Sequence, residues 1–143
     1  MSEQKKWDAI VVGGGCAGLC AALYLARAMR RVLVIDGGRS LALWEPEVQN
    51  YFGFPDGISG QELIERGKAH SQKYDAEIVQ DEISGASHDG SGFVLQGKTE
   101  VYRAKRVLLA TGSWHIPPEI PHVSECLGHS MFFCKDCDGF RNQ

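Results

Sequence analysis

Residues Gly13-Gly14-Gly15-Cys16-Ala17-Gly18 constrain this chain more than any other feature of it. They follow a short β-prone run, Trp7-Asp8-Ala9-Ile10-Val11-Val12, and lead into good helix formers from Cys16 to Met29. Alone, a G-x-G-x-x-G pattern is weak evidence; between a strand and a helix it is the turn of a βαβ dinucleotide-binding unit. Gly13 permits the tight turn, Gly15 lets backbone approach a pyrophosphate, and Gly18 lets helix and strand pack closely. Cys16 and Ala17 open the helix, whose unsatisfied N–H groups suit an anion. Val32 to Ile35 is the second strand, and Asp36, followed by Gly37, ends it where an acidic residue accepts from an adenosine ribose diol.

The glycines do not separate FAD from NAD(P). FAD is favoured because the motif sits at the N-terminus and because the second strand leads into a long aromatic segment. That segment, Arg39 to Gly57, holds Trp44, Tyr51, Phe52 and Phe54 and reads as a loop. Long loops in compact domains are usually functional, and an isoalloxazine ring needs an apolar wall. Ser59-Gly60-Gln61-Glu62 then has the form of a capping box, predicting a helix to about Tyr74.

Between Ala76 and Tyr102, three short runs (Glu77–Val79, Gly92–Leu95 and Thr99–Tyr102) predict an antiparallel meander. Arg106-Val107-Leu108-Leu109-Ala110 predicts a further buried strand, ending at Thr111-Gly112. Pro117, Pro118 and Pro121 then mark a boundary, so residues 1–116 form one domain and residues 117–143 a linker and the start of another.

The net charge of −3, with no block of like charges, removes the electrostatic footprint of nucleic-acid binding. Ala9 to Ala26 is uncharged and follows Lys5 and Lys6, but its glycine turn breaks the continuous apolar helix that a membrane span requires. A soluble, cytoplasmic protein without membrane attachment is expected.

The cysteine count is five, an odd number too sparse for a disulfide-stapled secreted domain. Cys16 and Cys20, one turn apart on the first helix, read as small buried hydrophobes. Cys134-Lys135-Asp136-Cys137-Asp138 has the spacing of a dithiol that exchanges with disulfides. Lys135 favours a thiolate, and Asp138 can give or take the exchanged proton. An alternative stands beside it: Cys126, His129, Cys134 and Cys137 spell a zinc-type donor set, although its middle spacing is short.

Taken together, these motifs resemble the low-molecular-weight thioredoxin reductases and their relatives, the pyridine nucleotide-disulfide oxidoreductases of class II. The resemblance is carried by residues 10–19, by Asn50-Tyr51-Phe52-Gly53-Phe54-Pro55 and on to Leu63, by Leu109-Ala110-Thr111-Gly112-Ser113, and by Phe133 to Phe140. It implies an α/β, Rossmann-like FAD-binding three-layer fold with a small antiparallel β-meander. It further implies that the glycine turn and Asp36 bind the FAD pyrophosphate and ribose. On the same resemblance, Asn50 would contact the flavin and Ala110, Thr111 and Gly112 would line the cofactor. Cys134 and Cys137 would form the redox disulfide, Cys137 nearer the flavin, with Asp138 as proton donor. Electrons would pass, as in that family, from NADPH to FAD, to the disulfide and on to thioredoxin or a similar redox protein. The complete family enzyme is expected to be a homodimer.

In that family a whole NADPH-binding domain follows the C-x-x-C, whereas this sequence stops six residues after Cys137 and is read as truncated before it. Cys16 also replaces the proline usual after the second family glycine, and Trp114-His115 follows the Thr111-Gly112 turn. The expectation is therefore an incomplete disulfide-reducing flavoenzyme, with a catalytically silent nucleotide-binding unit as the alternative.

Overall fold

The computed structural model describes residues 6–114, 116–126 and 130–132. Strand β1 (Lys6–Val12) is followed by helix α1 (Cys16–Arg27) and strand β2 (Val32–Asp36). A 3-10 turn at Leu41–Trp44 precedes α2 (Gly60–Gln72). Then come β3 (Glu77–Gln80), β4 (Ile83–His88), β5 (Phe93–Gly97), β6 (Val101–Leu109) and the short α3 (Val123–Cys126). The strands form one sheet in the order β3-β2-β1-β6-β5-β4. In it β1, β2, β3 and β6 are parallel, while β5 is antiparallel to both β6 and β4.

Two apolar clusters define the layers. Alternation along β2 sends Val32 and Val34 to one face, where they join Val11, Ala22 and Ala26 beneath α1. Leu33 and Ile35 face the other way and pack with Ile10, Trp7, Leu95, Tyr102 and Ala104. Leu95 lies on β5, so the antiparallel end of the sheet must curl back over the parallel strands to bury it beside β2. The result is three layers: helices, parallel sheet and meander. Every residue of β2 is buried, as expected of a strand covered on both faces.

The meander differs from its sequence expectation in membership. Glu77–Gln80 belongs to the parallel sheet, in register with Leu33–Asp36. The meander's first strand is β4, whose sequence Ile-Ser-Gly-Ala-Ser-His carries too little β-prone apolar character to announce itself. Thr99–Tyr102 and Arg106–Ala110 are not separate strands but largely one, β6. Its first half pairs with β5 through Ala104, and its second half pairs with β1 alone. The expected burial therefore fails there: Leu109 is 75% exposed.

The aromatic segment is more ordered than its composition suggests. A bridge between Val48 and Ile58 closes it, with N–H to carbonyl distances of 2.7 and 3.1 Å. The Gly60 N–H donates to the Glu45 carbonyl at 2.9 Å, tying the start of α2 to the 3-10 turn. Half of the capping box forms: Ser59 Oγ accepts from the Glu62 N–H at 3.2 Å, while the Glu62 carboxylate turns to Arg66 at 2.6 Å. No helix among the described residues is long and apolar enough to cross a membrane.

Candidate functional site

Three segments distant in sequence meet at the carboxyl ends of β1, β2 and β6. The Gly13 N–H donates to the Ile35 carbonyl at 2.9 Å, and the Ala110 N–H donates to the Val12 carbonyl at 2.8 Å. Gly13 has φ +117°, and a side chain there would overlap the Ala110 carbonyl. The glycine turn and the Ala110-Thr111-Gly112 turn are thus in direct apposition. The connection from β1 leads to β2 on one side, while β6 lies on the other. Such a reversal opens a crevice beyond the strand ends, where ligands of open α/β sheets bind.

The α1 N-terminus points at this crevice with its donors uncommitted. Gly15 is the N-cap, with no side-chain capping bond, and the first turn carries no acidic residue. The N–H groups of Cys16, Ala17 and Gly18 have no intrahelical acceptor, so an anion would find both donors and the positive end of the helix dipole. A Cβ on Gly18 would overlap the Gly13 carbonyl oxygen, which is how closely helix and turn approach.

Asp36 closes the β2 side. Its side chain lies against Gly14, where any Cβ would strike it. It is buried, with Oδ1 accepting the Gly38 N–H at 2.8 Å and Oδ2 paired with Lys68 Nζ at 2.7 Å. Lys68 comes from α2, and nothing in the sequence pattern singled it out among the polar positions of that helix. Ser40 was missed for the same reason, although its hydroxyl lies beside Gly15.

The remaining predicted positions spread from this centre. Gly37, Thr111 and Gly112 are exposed at the crevice edge, and Ala110 is half-buried. Asn50 is exposed, and its neighbour Tyr51 lines an open cleft of about 220 Å³ together with Cys16, Cys20, Phe54 and Arg66. Cys20 is exposed and Cys16 only half-buried, so neither is the buried hydrophobe expected of it. Burial pushes the Cys16 thiol upward, away from the thiolate. Arg39, just after β2, lies 5.5 Å from the Trp114 ring just after β6 and pairs with Glu82 at 2.5 Å, linking the two loops that flank the crevice.

Cys134, Cys137, Asp138 and His129 lie outside the described residues. Cys126 is free and half-buried. No group of three metal-ligating side chains occurs among the described residues.

The sequence profile of the pyridine nucleotide-disulphide oxidoreductases matches residues 7–143. The chain belongs to that family. Among its family relatives, a thioredoxin reductase of Treponema pallidum is 39% identical over 143 residues, covering 96% of this chain and 46% of the relative. One from Streptomyces coelicolor is 35% identical over 137 residues, covering 93% of this chain and 42% of the relative. The solved thioredoxin reductase of Streptococcus pyogenes superposes with a TM-score of 0.88 at 27% identity, over 96% of this chain and 45% of that one. The chain therefore spans under half the length of the relatives it matches.

Proposed function

We propose that this chain is the FAD-binding portion of a disulfide-reducing flavoprotein of thioredoxin reductase type. Residues 1–116 would form the FAD-binding domain, and residues 117–143 the linker and start of the NADPH and disulfide domain. One observation carries the reading: the glycine turn, the Asp36 carboxylate and the Ala110 turn converge on the crevice beyond β1, ahead of an uncapped helix N-terminus. These residues fit an adenine dinucleotide. The helix donors suit the pyrophosphate, Gly15 puts no side chain between it and the backbone, and Asp36 suits a ribose diol.

Bound FAD would accept a hydride from NADPH and pass two electrons to a disulfide. The chain's own residues then act as follows. Gly15, Cys16, Ala17 and Gly18 hold the pyrophosphate through backbone N–H groups, while Gly13, its own N–H bonded to the Ile35 carbonyl, makes the tight turn that presents them. Asp36 and Gly37 hold the ribose, while Asn50, Ala110, Thr111 and Gly112 border the flavin side. Cys137 and Cys134 cycle between disulfide and dithiol. The Cys134 thiolate attacks a disulfide of thioredoxin or a similar protein, and a mixed disulfide forms as one partner thiolate leaves. Asp138 gives that leaving sulfur its proton. Cys137 then attacks Cys134, re-forming the internal disulfide and releasing the partner as a dithiol. Exchange of this kind requires thiols kept reduced, which supports a cytoplasmic location. The complete enzyme would be a homodimer.

The test is cofactor uptake. Purified chain incubated with FAD and passed through a desalting column should emerge yellow, with one flavin per chain by visible absorbance. A colourless protein would overturn the reading.

A further inference from the structure

The residue predicted to hold the ribose is not a lone carboxylate. Asp36 Oδ2 is paired with Lys68 Nζ at 2.7 Å, and Oδ1 accepts the Gly38 N–H at 2.8 Å, so the carboxylate is held from both sides. The two side chains line a polar cleft at the end of β2, with Gln72 one helical turn beyond Lys68. Lys68 is about a third exposed while the Asp36 side chain is only a tenth exposed, so the ammonium forms the outer lip of the cleft.

We propose that Lys68 is a second ribose-recognition residue, making the hook a carboxylate–ammonium pair that determines which adenosine nucleotides this site accepts. The inference rests on the reading of the crevice as an adenine dinucleotide site. A vicinal diol carries two donors and two acceptors. A lone carboxylate can only accept, whereas an ammonium can only donate. Together they satisfy both halves of the diol, and Asp36 retains lone pairs for the hydroxyls because a carboxylate has about four acceptor sites. The pair also carries no net charge. A 2′-phosphate, which an unpaired Asp36 would repel, meets an ammonium at the lip.

The experiment measures ADP and 2′,5′-ADP binding by calorimetry to the whole chain and to its K68M and K68R variants. Thermal unfolding of each variant is recorded alongside. ADP affinity should fall about tenfold in K68M, the size of one lost hydrogen bond to a charged group, and 2′,5′-ADP affinity should fall further. K68R, which keeps charge and donors, should restore most of both. A merely structural lysine would lower the two affinities equally and in step with the melting temperature, and that result overturns the proposal. So does K68M binding both nucleotides as the wild type does. If the wild type binds neither nucleotide, the dinucleotide reading and the role of Lys68 fall together, whereas an unchanged K68M overturns Lys68 alone.

Discussion

Substituting Gly18 by alanine sets two known effects against each other. In a helix interior, alanine is favoured over glycine by about 1 kcal/mol. Against that, the new methyl would fall within the shell of the Gly13 carbonyl oxygen, with the carbonyl carbon at 3.0 Å and Val11 Cγ1 at 3.3 Å. Those are not yielding neighbours. Gly13 is fixed by its φ of +117° and by its N–H bond to Ile35, and β1 runs through the centre of the sheet. Helix α1 must move off the turn instead, and overpacking of this kind costs about 1–3 kcal/mol. Subtracting the helix gain leaves Gly18→Ala destabilised by up to about 2 kcal/mol, a fall in melting temperature of roughly 4–8 °C for a chain near this size. Urea unfolding followed by circular dichroism measures it, and FAD affinity should drop in the same variant because the helix donors leave the cradle. Gly67→Ala is the internal control. Its Cβ would meet Leu19 Cδ1 at 3.0 Å, the far end of a flexible side chain, so it should be neutral or stabilising. A Gly18→Ala chain as stable as the Gly67→Ala chain would refute the argument that close approach, not helix propensity, explains this glycine.

Three further outcomes follow from the same geometry. Asp81 gathers the Glu82, Lys98 and Thr99 N–H groups and the Thr99 and Tyr102 hydroxyls at 2.7–3.3 Å. Burial alone would raise its pKa, but those donors outweigh it and hold the carboxyl well below its ordinary 3.8. A depressed carboxyl stabilises fully above the unfolded value and progressively less as pH falls below it. Asp81→Asn should therefore lower stability at neutral pH and flatten its decline below about pH 4, as urea midpoints across pH will show. Cys20 should react with a thiol reagent faster than Cys16, because it is exposed while burial raises the Cys16 thiol; peptide mapping of partially labelled protein checks the order. Phe52→Ser should shift stability by less than about 0.5 kcal/mol, since that ring is 99% exposed.

What the sequence made legible was local. The β1-α1-β2 unit could be read because an apolar strand, a glycine turn and a helix each carry their own signal within 30 residues. Asp36 was legible for the same reason, being a fixed distance from the glycines. Lys68 was not: its meaning arises only when α2 packs beside the end of β2, a contact no periodicity encodes. Strand β4 was hidden by its serines and glycine, and β6 was divided because Arg103, Lys105 and Arg106 interrupt its apolar pattern. Lys105 and Arg106 are exposed on the half of the strand that pairs with β1 alone, so they reveal position in the sheet and not the absence of a strand. The aromatic segment was readable as a long loop, yet its closure through Val48 and Ile58 depends on a pairing across nine intervening residues.

The meander is more than a cover for the sheet. Asp81, at the junction of β3 and β4, ties the β5–β6 turn to itself through Lys98, Thr99 and Tyr102, and its own N–H donates to the Asp36 carbonyl at 3.2 Å. The next residue, Glu82, pairs with Lys98 on one side and with Arg39 on the other, and Arg39 stacks on Trp114. Exposed ion pairs such as these contribute little singly. The Asp81 hub differs because one buried carboxylate gathers three backbone N–H groups and two hydroxyls, and hydrogen bonds to a charged acceptor are stronger than neutral ones. Its bond to Asp36 fixes the backbone from which the Asp36 carboxylate projects, while Lys68 holds that carboxylate from α2. The position of that carboxylate is thus set by two elements that the βαβ motif does not contain, which is why the motif alone locates the crevice but does not fix the geometry of its rim.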